Sequence, residues 1–306
     1  MKFPIIKGKA FLSPMAGVTD VAFRALAKKC GAALTYTEFV SSSALIRNKR
    51  RSLEMIQIDK SEKPVAVQLF GHNLKEVIEA AKIVEEKFDI IDINCGCPAF
   101  KVIKSGAGSE MLKQPDKIAD LISKLTSITN KPITVKIRSG IDSKHINAVE
   151  VAKKAEDAGA SAIAIHGRTQ KQGYKGEADW EIIKKVKESI NIPVIGNGDV
   201  FTPEIFKKRL EESNVDYIMI ARGAIGNPYI FQQINDFLKK GEYNQIEKIK
   251  LFFEYLKLAK KYKIHYNQIR IHAMQFTKGM NNSAKLRNQL TSCNSTEEIE
   301  EKVELL

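Results

Sequence analysis

The chain has 306 residues, 43% of them hydrophobic and 28% charged, which is ordinary for a globular protein and too long for a minimal domain. It has no apolar run long enough to span a membrane and no signal-peptide core at its start, so we expect a cytoplasmic protein without a membrane partner. Four cysteines do not make a disulfide framework, and the net charge of +13 favours a polyanionic partner over a merely solvated, lysine-rich surface.

Eight short apolar segments have the character of β-strands. In chain order they are "KAFLSPM", "ALTYTEF", "PVAVQLF", "DIIDIN", "PITVKI", "SAIAIHG", "IPVIGNG" and "VDYIMIARG". Amphipathic segments of helical period lie between most of them, most clearly at residues 73–88 and 146–160. Strand followed by helix, eight times, predicts an α/β fold of the (β/α)8 TIM-barrel type; an open, doubly wound sheet is the alternative.

Each predicted strand ends at a polar or conformationally special residue. The carboxyl ends of barrel strands converge on one mouth, where active sites form, so we expect these residues to lie together. They are Pro14, Glu38, Gln68, Asn94, Lys136, His166, Asn197 and Arg222.

The turns after the last two strands, "GNGDV" at 196–200 and "ARGAIGNP" at 221–228, are rich in glycine. Glycine lets backbone N–H groups approach a ligand, and barrels commonly hold phosphate at these two loops. A phosphate-bearing ligand is therefore expected here, with Arg222 as its counter-charge.

Helical patterns continue to the end of the chain after Gly223. We expect a catalytic barrel over residues 1–235 and a small all-helical domain over 236–306. Between residues 251 and 290 there are eight basic residues and one acid, Glu254, and a second basic cluster, "RNKRR", occupies 47–51.

The stretch "DINCGCPA" at 92–99 places Cys95 and Cys97 beside a glycine and a proline. A metal site, a redox pair, a catalytic thiol and chance are all compatible with this pattern. Zinc held by both cysteines and His166 is conceivable, but the spacing lacks the usual C-x₂₋₄-C pair, so we expect no metal site.

Several motifs closely resemble those of the tRNA-dihydrouridine synthases. They run in the family's order from about residue 10 to 232 and are "LSPMAGVTD", "NCGCPA", "SGAGSEML", "KIRSG", "IHGRT", "NGDV" and "ARGAIGNPYIF"; a weaker match, "RIHAMQFTKGM", follows at 270–280. The resemblance implies an enzyme that uses flavin mononucleotide (FMN) to reduce the C5=C6 bond of particular uridines in tRNA, with NADPH or NADH as the reductant.

The resemblance also implies roles for individual residues. Cys97 aligns with the family's catalytic cysteine and would protonate C5 as an S–H acid, whereas Cys95 stands where many members carry Met. The expected FMN contacts are Pro14, Met15 and Ala16 along the ring, Gln68, Asn94, Lys136 and His166 around it, and Asn197, Gly198, Asp199, Ala221, Arg222 and Gly223 at the ribityl and phosphate groups.

The basic clusters are expected to hold the phosphates of a bound tRNA. The candidates are Arg47, Lys49, Arg270, Lys278, Lys285 and Arg287, in a protein expected to be a monomer. Among other residues, Cys30 is predicted to be core, Cys293 a surface or loop thiol, and Trp180 a packing residue at a helix start. Glu38 is expected either to support the mouth or to contact the ligand.

Two other functions remain open from the sequence. One is an FMN barrel acting on a free pyrimidine, similar to the dihydroorotate dehydrogenases, which would not need a basic helical tail. The other is an RNA-binding barrel that has lost its chemistry, against which the set Gln68, Asn94, Cys97, Lys136 and His166 argues.

Overall fold

The computed structural model describes residues 1–280 and 283–305. Ten strands lie in this part of the chain. They are β1 (Ala10–Leu12), β2 (Thr35–Ser41), β3 (Val65–Phe70), β4 (Ile90–Cys95), β5 (Ile133–Arg138), β6 (Gly140–Asp142), β7 (His145–Ile146), β8 (Ala162–His166), β9 (Val194–Asn197) and β10 (Tyr217–Ile220).

Eight of these strands form a closed parallel barrel. Their order is β1-β10-β9-β8-β5-β4-β3-β2, with every neighbouring pair parallel. The first and last strands meet where Phe11 bridges Leu34 and where the Leu12 N–H donates to the Leu34 carbonyl at 2.9 Å. The predicted TIM barrel is therefore confirmed, and the open sheet is wrong.

Fourteen α-helices surround or follow the barrel in the described residues. They are α1 (Val21–Lys29), α2 (Ser42–Ile46), α3 (Arg50–Met55), α4 (Leu74–Val84), α5 (Phe100–Lys104), α6 (Pro115–Ile128), α7 (Ala148–Asp157), α8 (Trp180–Ser189), α9 (Pro203–Ser213), α10 (Ile230–Lys240), α11 (Lys248–Lys261), α12 (Tyr266–Phe276), α13 (Ser283–Thr291) and α14 (Thr296–Glu304). Short 3₁₀ helices lie at Gly108–Lys113 and Arg222–Ala224. The expected domain boundary at residue 235 falls within α10, and the division into two domains stays a prediction.

Helix α7 shows how the sequence encodes the outer ring. Its buried residues Ala148, Val151, Ala152 and Ala155 recur at helical spacing and face the sheet. Gly159, just beyond its end, has φ +95°, a left-handed conformation that a residue with Cβ adopts at a cost. The helix predicted at 146–160 is thus present, but its first residues belong to the β6–β7 hairpin, whose short polar strands carry no period-two pattern.

The C-terminal helices pack against the barrel at α1. Phe23 of α1 contacts the rings of Tyr255 and His272, and the latter two rings lie 4.3 Å apart. His272 is fully buried, and its Nε2 lies 3.0 Å from the Val18 carbonyl in the loop after β1. This apolar contact joins the helical part of the chain to a loop at the barrel mouth.

The other sequence predictions have mixed outcomes. Cys30 is buried and Trp180 begins α8, where it is buried and donates to the Gly198 carbonyl. Cys293 was predicted to be a surface or loop thiol. It lies in the loop between α13 and α14, but it is buried and not at the surface. In the described ranges, no helix is long and apolar enough to cross a membrane.

Candidate active site

A cavity of about 450 Å³ opens at the carboxyl ends of the barrel strands. Cys97 and every residue predicted to contact FMN line it, so the structure brings the whole predicted set together. These residues are Pro14, Met15, Ala16, Gln68, Asn94, Cys97, Lys136, His166, Asn197, Gly198, Asp199, Ala221, Arg222 and Gly223. Their individual roles stay predictions.

Strand register explains why distant residues meet in this cavity. Asn94 lies beside Lys136 across the β4–β5 pair, and His166 lies between Arg138 and Asn197 in the next strands. Neighbouring residues in parallel strands point to the same face. Polar side chains at the strand ends therefore form a ring around the mouth.

Cys95 and Cys97 are not a pair. Cys95 is completely buried and its Sγ contacts Met111 Sδ at 3.8 Å, whereas Cys97 lines the cavity. This separation argues against a shared metal. Throughout 1–280 and 283–305, no group of three or more His, Cys, Asp or Glu side chains is placed to bind one.

The surroundings of Cys97 keep its thiol protonated at neutral pH. Burial raises the pKa of Cys97, and the Ala99 N–H and the charges of Arg138 and Lys136 only partly offset this effect. A proton on Sγ suits an acid rather than a thiolate nucleophile.

Lys136 is a half-buried cation with an easily lost proton. Burial, reinforced by Arg138, lowers its pKa to about 8, although the negative charge of Asp92 opposes the shift. Its Nζ donates to Asn197 Oδ1 at 3.2 Å. Burial and the nearby cations also lower the pKa of His166 well below its usual range, so this imidazole is neutral at pH 7.

One end of the cavity has two guanidinium groups beside a closely packed backbone turn. Asp199 accepts from Arg168 at 2.7 Å and from Arg222 at 2.7 Å, which fixes both guanidinium groups. The Arg222 guanidinium also lies over the rings of Tyr174 and Phe201. A Cβ on Gly223 would lie 2.2 Å from the Val200 carbonyl oxygen, so this turn requires glycine. Close backbone and fixed guanidinium groups are features of phosphate sites.

Sequence reasoning missed three residues of this region. Arg138, Arg168 and Tyr174 all lie at the cavity or beside it. The alternation of side chains along β5 could have identified Arg138, because it stands two residues after Lys136 and so shares its face. Tyr174 lies in an irregular loop, where no periodic signal exists.

Glu38 supports the mouth rather than lining the cavity. Its carboxylate accepts from the Gly17 N–H at 2.6 Å and from Gln268 Nε2 at 3.2 Å. It thus ties the loop after β1 to helix α12, the first of its two expected roles.

The expected RNA contacts divide into two groups. Arg47, Lys49, Lys278 and Lys285 are exposed. The other two bind neighbouring groups: Arg270 donates to the carbonyls of Thr291 and Cys293, and Arg287 donates to Ser283 Oγ. Arg47 also has an internal partner, because its guanidinium lies 3.8 Å from the Glu76 carboxylate. Among the described contacts, only the side chains of Lys49, Lys278 and Lys285 have no such partner.

A family model described as "Dihydrouridine synthase (Dus)" matches residues 11–306. The chain belongs to the dihydrouridine synthase family. The chain is 41% identical over 239 residues to tRNA-dihydrouridine synthase B of Pseudomonas aeruginosa, covering 78% of this chain and 72% of that protein. It is 38% identical over 301 residues to "Probable tRNA-dihydrouridine synthase 1" of Synechocystis, covering 96% and 84%.

Solved structures support the barrel fold of this chain. Histamine dehydrogenase from Rhizobium sp. 4-9 superposes with a TM-score of 0.58 at 15% identity, over 83% of this chain and 49% of that one. A variant of NCR from Zymomonas mobilis gives a TM-score of 0.54 at 15% identity, over 78% and 89%.

Proposed function

We propose that the protein reduces the C5=C6 bond of uridines in tRNA, using FMN and NADPH or NADH. The observation that carries this proposal is the protonated thiol of Cys97 in a barrel-mouth cavity that also holds Lys136 and an anion site. Family membership and the names of the curated relatives support the same reaction and substrate.

The cavity residues fit FMN. The fixed Arg222 and the close backbone at Gly223 suit a phosphate, and apolar Pro14, Met15 and Ala16 suit one face of a flat ring. Gln68 and Lys136 supply polar groups deeper in the cavity. The chemistry that FMN supplies when bound is hydride transfer, to C6 of the pyrimidine.

The chain's own residues would then complete the reaction. Negative charge develops at C5 and O4 as C6 is reduced, and the Cys97 Sγ–H donates its proton to C5. The half-buried Lys136 and the buried Arg138 both line the cavity and would stabilise the developing charge, because fixed cations act strongly on charge that develops beside them.

A uridine in folded tRNA must leave its stack to enter this cavity. We assign the phosphate contacts to residues 236–306 and to the basic segment at 47–51. A cleft of about 960 Å³ lies between the two, and its lining carries both basic and acidic side chains: Arg50, Arg51 and Lys263 with Asp20, Glu38 and Glu54. Arg51 and Lys263 would be available to a phosphate backbone, whereas Arg50 is paired with Glu54. Such a monomeric enzyme would act in the cytoplasm, where its tRNA substrate is found.

The purified protein tests the proposal directly. We expect bound FMN, visible as a yellow chromophore, and dihydrouridine in tRNA after incubation with NADPH, with NADH compared in parallel. Turnover of free orotate without tRNA reduction would instead favour the free-pyrimidine enzyme. A protein that binds tRNA but takes up no FMN would favour the RNA-binding barrel.

A further inference from the structure

We propose that Asp92 is a positioning residue. It determines which way the side-chain amides of Gln68 and Asn94 point in a buried chain of hydrogen bonds, and through them it fixes the turn that presents Cys97. Asp92 lies one layer below the cavity and is completely buried. The strand register places it between Gln68 and Thr134, on the face shared with Asn94. It does not line the cavity, so it would act only through other residues.

Four side chains form this chain of hydrogen bonds. Thr134 Oγ1 donates to Asp92 Oδ1 at 2.6 Å, and Gln68 Nε2 donates to Asp92 Oδ2 at 2.7 Å. Asn94 Nδ2 then donates to Gln68 Oε1 at 2.8 Å. At the top, Asn94 Oδ1 accepts the N–H groups of Gly96 at 3.1 Å and Cys97 at 2.9 Å.

The groups at the two ends of this chain of hydrogen bonds determine which way each amide points. An ionised carboxylate only accepts, so Gln68 must turn its NH₂ group toward Asp92 and its carbonyl toward Asn94. Asn94 must then turn its own carbonyl toward the backbone N–H groups, which only donate. Reversing either amide would place like groups against each other in a buried site, where unmatched polar atoms are costly.

The chain of hydrogen bonds therefore holds Cys97 from one side. From the other side, Ser109 donates to the Cys97 carbonyl through its N–H at 3.0 Å and its Oγ at 2.9 Å. Gln68, which is proposed to contact FMN, takes its orientation from the same carboxylate. A displacement of about 1 Å at a reacting group can cost roughly 100-fold in rate, so the direction of the chain matters for turnover.

A cycle of shape-preserving substitutions tests the inference. Thr134→Val removes a bond that favours the ionised form of Asp92, whose pKa burial raises to about 6. The cycle is therefore measured at pH 8, where the carboxylate stays ionised and still directs both amides. Asp92→Asn also leaves both amides directed, because the new Nδ2 can donate to Thr134 Oγ1 while Oδ1 accepts from Gln68. The double variant Asp92→Asn/Thr134→Val removes that acceptor, so the amide at 92 no longer has a preferred direction. Asp92→Asn/Thr134→Ser retains the hydroxyl and is the matched control.

Two readouts on FMN-free protein report the position of Cys97. They are the rate of Cys97 alkylation by iodoacetamide, located by peptide mass spectrometry, and amide hydrogen exchange at residues 96–97. We expect each single variant and the serine control to stay within about 2-fold of wild type, and the double variant to react and exchange about 10-fold faster, a strong coupling. The single-turnover rate of tRNA reduction at pH 7 should fall about 10-fold in the same variant.

Additive effects in the cycle would overturn the inference, as would a serine control that behaves like the double variant. If the double variant does not fold, Asp92→Leu replaces it, because leucine also removes the acceptor for Gln68. Its alkylation and exchange rates are then compared with those of Asp92→Asn. The measurement of tRNA reduction rests on the proposed function, whereas the measurements of Cys97 alkylation and amide hydrogen exchange do not. Failure of wild type to reduce tRNA, with the thiol and exchange cycle intact, would refute the function and leave the positioning role standing.

Discussion

Tyr255 donates its hydroxyl to Asp20 Oδ2 at 3.1 Å, across the contact between the C-terminal helices and the barrel. The other oxygen of Asp20 accepts from the Phe23 N–H at 2.9 Å and so caps α1. One carboxylate thus starts a barrel helix and binds the helical region. Because α1 follows the loop that forms one wall of the cavity, this bond links the C-terminal helices to the candidate active site.

Asp20→Ala should lower the free energy of unfolding by about 2 kcal/mol or more, because it removes a helix cap and strands the buried Tyr255 hydroxyl. Tyr255→Phe should cost only about 1 kcal/mol, since it removes one bond and keeps the ring packing. Urea unfolding measures both, with Asp20→Asn as the control that retains the cap. Equal losses in the two variants would contradict this account.

Cys97→Ala should slow tRNA reduction by about 100-fold or more while FMN content and tRNA affinity stay near wild type, because only the acid is lost. Single-turnover kinetics and the visible spectrum of the flavin measure these separately. The control is Cys95→Ala, which removes a buried thiol packed on Met111 and should reduce stability but not rate. Full turnover by Cys97→Ala would refute the acid role.

The rate of reduction should fall as pH rises through about 8, because the half-buried Lys136 ammonium loses its proton there. Cys97 stays protonated in this range, since burial raises the pKa of its thiol. The negative charge of Asp92 raises the Lys136 pKa, so Asp92→Asn should move the alkaline limb to lower pH. The single-turnover rate measured against pH tests this prediction. If the alkaline fall in rate occurs at the same pH in Asp92→Asn as in wild type, Lys136 is not the titrating group.

Reversing charge at exposed residues of the C-terminal region, Lys278→Glu with Lys285→Glu, should weaken tRNA binding and flatten its salt dependence. Each lost phosphate contact lowers the slope of log K against log salt by roughly 0.7–0.9. The control, Lys153→Glu with Lys185→Glu, makes the same charge change at exposed positions of barrel helices α7 and α8. Equal slopes in the two double variants would remove this part of the RNA surface from the proposal.

The barrel and its mouth were predictable from sequence because both depend on local patterns. Strands buried on two faces appear in the sequence as short apolar runs. The residue that ends each run lies at the mouth, and this position does not depend on which distant residues it contacts. Gln68, Asn94, Lys136 and His166 could be identified for this reason without any knowledge of their partners.

Tertiary partners were not predictable in the same way. Arg270 looked like any other member of a basic segment, yet its guanidinium closes the end of α13 through the carbonyls of Thr291 and Cys293. Tyr174 reaches the cavity from a loop whose path depends on Arg138 and Arg168 binding its carbonyl groups. Neither fact has a signature in spacing or hydropathy.

The contact of His272 with the Val18 carbonyl and of Tyr255 with Asp20 also bears on how members of the family can exchange parts. A chimera that joins this barrel to another member's helices keeps the Asp20 carboxylate and the Val18 carbonyl. It keeps Tyr255 and His272, which bind them, only if the new helices supply the same residues. A grafted segment should therefore dock better when it carries a tyrosine and a histidine at these two positions, together with the glutamine that binds Glu38 and the lysine and tyrosine that bind Asp59. Compatibility between parts of two family members would thus depend on a few polar side chains at the junction as well as on its apolar packing.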